Sequence, residues 1–213
     1  ALRCLLLTGS GGVFCAGGDL KSMTSDCRPV AVRERMANTH RSAKLLANCE
    51  KPVITAVNGP AVGAGLSLAL IGDIVIASED AWFMAGFPKV GVLPDFGMLH
   101  SLPRAVGMVQ AKDLLLTNRK VEAREAREIG LVSRVLPADG FLDQAIALAT
   151  TVAEGPAIPF GLTKAIMNGS YKDSFDELLL KESMAQAVVF GTEDFQEGNT
   201  AFREKRAPRF QGR

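Results

Sequence analysis

The chain has 213 residues, 47% of them apolar, with 24 basic against 23 acidic side chains and a formal net charge of +1. That length suits one domain with a small appended lobe, and the apolar share supports a sizeable core. Near-neutral charge with no block of one sign argues against a nucleic-acid or membrane partner, while leaving room for a local basic site for a phosphate.

In chain order, residues 2–8 read as a buried strand, with Leu5–Thr8 closed by the turn Gly9-Ser10-Gly11-Gly12. A strand without lead-in suggests that the natural protein carries an earlier structural unit, expected to precede Ala1. Helical composition covers residues 30–47. Residues 52–57 are β-rich and stop at Asn58-Gly59-Pro60. Residues 63–71 follow as a helix that is apolar almost all round, hence buried. Two more strands are expected at 73–77 and 82–84. Helices follow at 96–106, 108–116 and 122–129, the last closed by Gly130 as its C′ residue, and then a strand at 131–136. Beyond Leu142 only helices are read, to residue 153 and at 157–167, 174–189 and 193–203, with Asp173 and Thr192 as N-caps of the last two. The strand-bearing core is therefore expected over residues 1–140 and a helical region over 141–213. Phe175, Leu178, Leu179, Val188 and Val189 give the late helices more apolar surface than a thin layer can bury. They should meet another subunit or the core.

Cys4, Cys15, Cys27 and Cys49 form no Cys-x-x-Cys pair and have no clustered histidines, so neither a zinc site nor a redox motif is expected. Free thiols in a reducing, cytoplasmic setting are the simpler account. The longest apolar stretch, near residues 61–71, is interrupted by glycines and is too short to cross a bilayer.

Two segments share one design: a buried strand, a glycine-containing turn, then the start of a helix. They are Val13-Phe14-Cys15-Ala16-Gly17-Gly18-Asp19-Leu20 and Ala56-Val57-Asn58-Gly59-Pro60-Ala61-Val62-Gly63-Ala64-Gly65-Leu66. Glycine lets a ligand approach the main chain, and amides at a helix N-terminus favour negative charge. Two such amides converging on one oxygen would make an oxyanion hole. Taken singly, either segment is more simply a structural turn. Nucleotide fingerprints fail: Phe14 and Leu68 stand where the third glycine of a Gly-x-Gly-x-x-Gly run would be, and there is no Gly-Lys-Ser/Thr.

Taken together and in this order, the segments resemble the crotonase (enoyl-CoA hydratase/isomerase) superfamily. The resemblance also includes Leu6-Leu7-Thr8-Gly9, Lys51-Pro52-Val53-Ile54-Thr55-Ala56-Val57-Asn58-Gly59, Gly72-Asp73-Ile74-Val75-Ile76-Ala77, Val90-Gly91-Val92-Leu93-Pro94-Asp95 and Glu128-Ile129-Gly130-Leu131-Val132. It implies an α/β fold: a spiral of ββα units with a helical C-terminal trimerisation region, the first unit lying upstream of Ala1. It also implies an acyl-CoA thioester substrate, no cofactor beyond that coenzyme A, and homotrimers or homohexamers. By resemblance the oxyanion amides fall on Gly18 and Ala64. Leu20 and Lys21 fall along the CoA path, and Ala16 where a main-chain carbonyl meets the adenine. Phe202 and Lys205 match a tail motif that lines a neighbouring acyl pocket and helps bind the CoA phosphate. A plain amphipathic helix with solvated charges is the rival reading of those two.

Departures from the pattern matter. Hydratases of the family use two glutamates, which should fall at Ser67 and Phe87. Ser67 reads as helix packing and Phe87 as pocket wall, so two-glutamate hydration is not expected. Asp95, in Leu93-Pro94-Asp95-Phe96-Gly97, is the remaining acid. As a turn residue it could cap the next helix; by resemblance to dienoyl-CoA and epoxyphenylacetyl-CoA isomerases it is a working carboxylate, and in aryl-CoA dehalogenases a nucleophile. The catalytic reading is preferred, and one residue can do both. His40 and His100 read as isolated surface or packing residues, Trp82 as core, Cys15 as a small packing residue, and Asp19 as support for the turn that presents Gly18. An isomerase is thus expected first. A hydratase or a thioester dehalogenase comes next, and outside enzymes a non-catalytic acyl-CoA- or RNA-binding relative.

Overall fold

The computed structural model describes residues 2–23 and 26–213. It groups them into two units. One contains 6–47 and 53–146; the other contains 2–5, 48–52 and 147–213.

The first unit is built around two sheets. Strands β1 (Leu5–Thr8), β2 (Val53–Val57), β4 (Ile74–Ser78) and β7 (Arg134–Leu136) form one sheet in that spatial order. β2 pairs in parallel with β4, and β4 with β7. Every residue of β2 is buried, as a strand covered on both faces must be, which is why it reads as a continuous apolar run rather than an alternating one. The second sheet joins β3 (Ala61–Val62), β5 (Trp82–Met84) and β6 (Val121–Glu122), with β5 central. Two-residue strands carry no period of their own; β3 and β6 exist because β5 offers them a ladder, and neither was expected from sequence.

Helix α1 (Leu20–Met23) is one short turn, and α2 (Pro29–Ala47) is long and has no buried residue. Helix α3 (Ala64–Ala69) is shorter than the expected 63–71: the Ile71 and Gly72 amides reach back only three residues, to Leu68 and Ala69. Its burial follows from its all-round apolar character. Thr55 of β2 donates through Oγ1 to Ala69 O at 2.8 Å, fixing the far end of α3 on the sheet. A single turn of 3₁₀ helix spans Phe87–Val90, followed by α4 (Met98–Val106), α5 (Met108–Thr117) and α6 (Ala123–Glu128). Gly130, at φ 81°, ends α6 in the left-handed conformation expected of it. The core of this unit gathers Phe14, Val57, Leu66, Phe83, Phe87, Met98, Leu102 and Leu131 among others.

Helix α7 (Phe141–Ala153) passes from the first unit into the second, which holds α8 (Ala157–Gly169), α9 (Phe175–Phe190) and α10 (Glu193–Glu204). Thr192 caps α10, accepting from the Phe195 amide at 3.1 Å. The expected cap at Asp173 is corrected: Ser174 caps α9, in a reciprocal box with Glu177, while Asp173 pairs with Lys181 at 2.6 Å. Asp194, buried in this unit, accepts from the amides of Gln211 and Gly212 and fastens the C-terminal residues to the start of α10. Among the described residues no single helix is long and apolar enough to cross a membrane.

Candidate active site

The two glycine-bearing turns lie side by side. Cys15 bridges Ala61 as a parallel pair, and the Val62 amide donates to Cys15 O at 3.0 Å. Gly65 must be glycine for this approach, because a Cβ there would lie 2.1 Å from Cys15 O. Gly17 turns the chain at φ 98°, and a Cβ on it would sit 3.7 Å from the Ala64 nitrogen, so the turn carrying Gly18 abuts the first amide of α3. Ala64 opens that helix, and its N-cap, Gly63, supplies no capping side chain. Among the described residues no main-chain or side-chain acceptor is assigned to either the Gly18 or the Ala64 amide. Unused amides at a helix start are donors with a favourable dipole behind them. Asp19 holds the adjoining turn, its Oδ1 accepting from the Lys21 amide at 3.0 Å. Ala16, Leu20 and Lys21 are exposed beside it.

Near these turns Ser67 is fully buried and donates through Oγ to Asp95 O at 2.9 Å. The same carbonyl accepts from the Met98 amide at 3.1 Å. Ser67 thus links α3 to the segment that carries Asp95. Ser67→Ala should destabilise the fold by about 1 kcal/mol through loss of that bond, read by denaturant unfolding. It should also loosen the segment that carries Asp95, which that bond ties to α3.

Asp95 faces a cavity of about 820 Å³ in the first unit. Its walls are mostly apolar, with Val32 and Met36 on one side and Leu93, Phe96 and Leu99 on the other. Leu20 also lines it. The carboxylate does not cap α4: that helix starts after Gly97 and has no side-chain cap. Oδ1 of Asp95 is buried with no hydrogen-bond partner. Burial pushes the Asp95 carboxyl above the usual carboxylate range, opposed by the charge of His40 and, less, by the residue's own amide. Asp95 as a whole is half-buried, and a carboxylate oxygen buried without a partner is a feature found more often at functional sites than elsewhere.

One expectation is corrected here. His40 is not isolated: it lines the same cavity and acts electrostatically on Asp95. Phe87 is not on this cavity's wall; it is 6% exposed and packs in the core with Phe83 and Leu66. His100 lines the cavity as well. Cys15 is half-buried in the bridge between the turns, and Trp82 is half-buried beneath the Lys120 ammonium, 5.0 Å from the ring centre. Phe202 and Lys205 are in the second unit, near and at the end of α10; Phe202 is 83% exposed. Among the described residues no group of three or more His, Cys, Asp or Glu side chains is arranged to hold a metal ion.

Comparison with known proteins bears on this geometry. The sequence matches the family described as enoyl-CoA hydratase/isomerase over residues 1–213. It is 40% identical over 217 residues to the 1,2-epoxyphenylacetyl-CoA isomerase of Escherichia coli K12, covering 100% of this chain and 82% of that one. It is 41% identical over 209 residues to the protein named "Probable enoyl-CoA hydratase echA8" of Mycobacterium bovis, covering 98% and 80%. Among solved structures, an enoyl-CoA hydratase from Polaromonas sp. JS666 superposes with a TM-score of 0.94 at 30% identity, covering 99% of this chain and 82% of that one. The enoyl-CoA hydratase of Bacillus anthracis gives 0.93 at 34% identity, with 99% and 82% covered. The crotonase fold expected from the motifs is the fold observed.

Proposed function

The chain belongs to the enoyl-CoA hydratase/isomerase family, and from that premise we propose that it is an acyl-CoA isomerase that moves the double bond of a 3-enoyl-type thioester. The observation that carries this reading is the buried, unpartnered Oδ1 of Asp95 on the wall of the apolar cavity. The thioester carbonyl oxygen accepts from the Gly18 and Ala64 amides. As charge moves onto that oxygen, the two donors stabilise the enolate more than the ground-state carbonyl, which acidifies the adjacent C–H. Asp95 takes the α proton from between the carbonyl and the double bond. The electron pair delocalises through the chain to give a dienolate, and the Asp95 carboxyl returns the proton to the γ carbon, leaving a 2-enoyl thioester and a carboxylate ready for the next turn. One carboxylate suffices for this cycle. Hydration asks for more, since a water must be activated and a proton also delivered. The family's two glutamate positions are here Ser67, bonded to a carbonyl, and Phe87, packed in the core.

The cavity volume, about 820 Å³, falls within the range of drug-sized ligand pockets, ~300–1,000 Å³. With its aliphatic and aromatic walls it favours a bulky apolar or aryl acyl group over a four-carbon chain. A screen of the purified protein against 2-enoyl-, 3-enoyl- and arylacetyl-CoA thioesters tests the reaction and the acyl class together. Isomerisation of 3-enoyl esters should exceed hydration of 2-enoyl esters; brisk hydration of crotonyl-CoA would reverse that ranking.

Assembly as a homotrimer, paired to a hexamer, is part of the same reading. Helix α9 buries none of its residues within the chain, although Phe175, Leu180, Met184 and Val188 are apolar and more than half exposed. Apolar surface of this extent favours a subunit interface. Sedimentation at micromolar concentration should give trimers or hexamers, and a monomer would refute it. The four cysteines are free, which suits a reducing, cytoplasmic setting.

A further inference from the structure

We propose that His40 is a positioning residue for Asp95, acting on the carboxylate across the acyl cavity that both line. This rests on the reading of Asp95 as the proton carrier and adds to it a titratable group on the same cavity.

The placement follows from helix geometry. Val32, Met36 and His40 recur every four residues along α2, so they form one stripe on one face. All three line the cavity that Asp95 faces from the 90–100 segment. The first two make an apolar wall, and the third ends it with a titratable group. His40 is itself solvent-exposed, so it can hold a charge without a large desolvation cost, whereas the buried Oδ1 of Asp95 cannot. Among the described residues no hydrogen bond joins the two side chains; the attraction acts across the cavity that both line.

The other titratable or charged groups around the cavity are Cys27 before α2, Arg35 on it, and His100 on α4. Arg35 is turned towards Asp26, donating to its carbonyl oxygen at 3.5 Å and acting on its carboxylate. His40 is the cation that opposes the burial of Asp95. Among the described residues no second carboxylate lines this cavity. Without His40, burial alone would act on Asp95 from that side, and a larger share of the enzyme would hold it protonated and unable to take the substrate proton.

The test is the pH dependence of kcat/KM for a 3-enoyl-CoA thioester, measured on the purified full chain and on His40→Gln, His40→Lys and Asp95→Asn. An imidazole is protonated in the acidic range where the limb of a carboxylate lies. Removing that charge in His40→Gln should move the acid limb upward by about half a pH unit or more. His40→Lys, which keeps the charge, should bring the limb back towards the wild type. A purely structural role for His40 would lower the rate without moving the limb and would not distinguish Gln from Lys. An unmoved limb in His40→Gln, or equal shifts in the Gln and Lys variants, with Asp95→Asn inactive, overturns this inference alone. An Asp95→Asn enzyme with wild-type rates overturns the proton-carrier reading beneath it, and this inference with it.

Discussion

Asp95→Asn is expected to lower turnover by ~10²–10⁴, the usual cost of removing a positioned proton carrier, while CoA esters still bind. Asparagine keeps the size of the side chain, so the cavity and the bond from Ser67 to the main-chain carbonyl at 95 should survive. Stability should move the other way. Burial raises the Asp95 pKa in the folded state. The folded protein therefore binds this proton more readily than the unfolded chain, and its stability falls as pH rises from the ordinary carboxylate value through the raised one. Above that window the wild type carries the cost of an ionised, half-buried carboxylate, which asparagine avoids. Below it both side chains are neutral. Thermal unfolding of the variant should occur at or above the wild-type temperature at neutral pH, with the difference vanishing in acid. A variant as active as the wild type would make Asp95 a scaffold residue only.

Ala64→Pro is expected to cost at least ~10²–10³ in turnover, the effect of losing one oxyanion donor. The substitution is unusually clean for a helix, because Ala64 is the first residue of α3. Proline is well tolerated there: its fixed φ suits the first turn and the missing N–H serves no intrahelical bond. The preceding Gly63 softens the restriction that proline places on its neighbour. Unfolding near the wild-type temperature together with collapsed turnover would mark the amide as functional. Retained turnover would remove Ala64 from the hole.

Much of this was legible in the sequence, for reasons that differ between elements. β2 and the buried helix α3 could be read because a run of β-branched residues ends at Asn58-Gly59-Pro60 and resumes as an apolar stretch. The glycines of the two turns were legible as places where a ligand could approach; that Gly65 instead admits Cys15 O of the neighbouring turn was not. β3 and β6 were missed because two-residue strands are created by their neighbour β5 rather than by local propensity. The cap of α9 was misplaced by one residue although Ser174 and Glu177 carry the spacing of a capping box. His40 was missed for a deeper reason. A lone histidine on a long exposed helix has no local signature, and its meaning appears only when α2 is set against the segment that bears Asp95. The four-residue recurrence of Val32, Met36 and His40 was the available signal. Phe87 opens a 3₁₀ turn and packs in the core, a placement that the family motif alone does not specify.

Enolate formation at the paired amides, with Asp95 carrying the proton, is the central claim, and solvent exchange tests it most directly. A non-isomerisable arylacetyl-CoA thioester would be incubated with the enzyme in D₂O and its α protons followed by ¹H NMR. The account expects the wild type to exchange those protons, and Asp95→Asn and Ala64→Pro to exchange them at least ~10²-fold more slowly. Absence of exchange in a wild type that binds the ester, or exchange that persists unchanged in both variants, would contradict it.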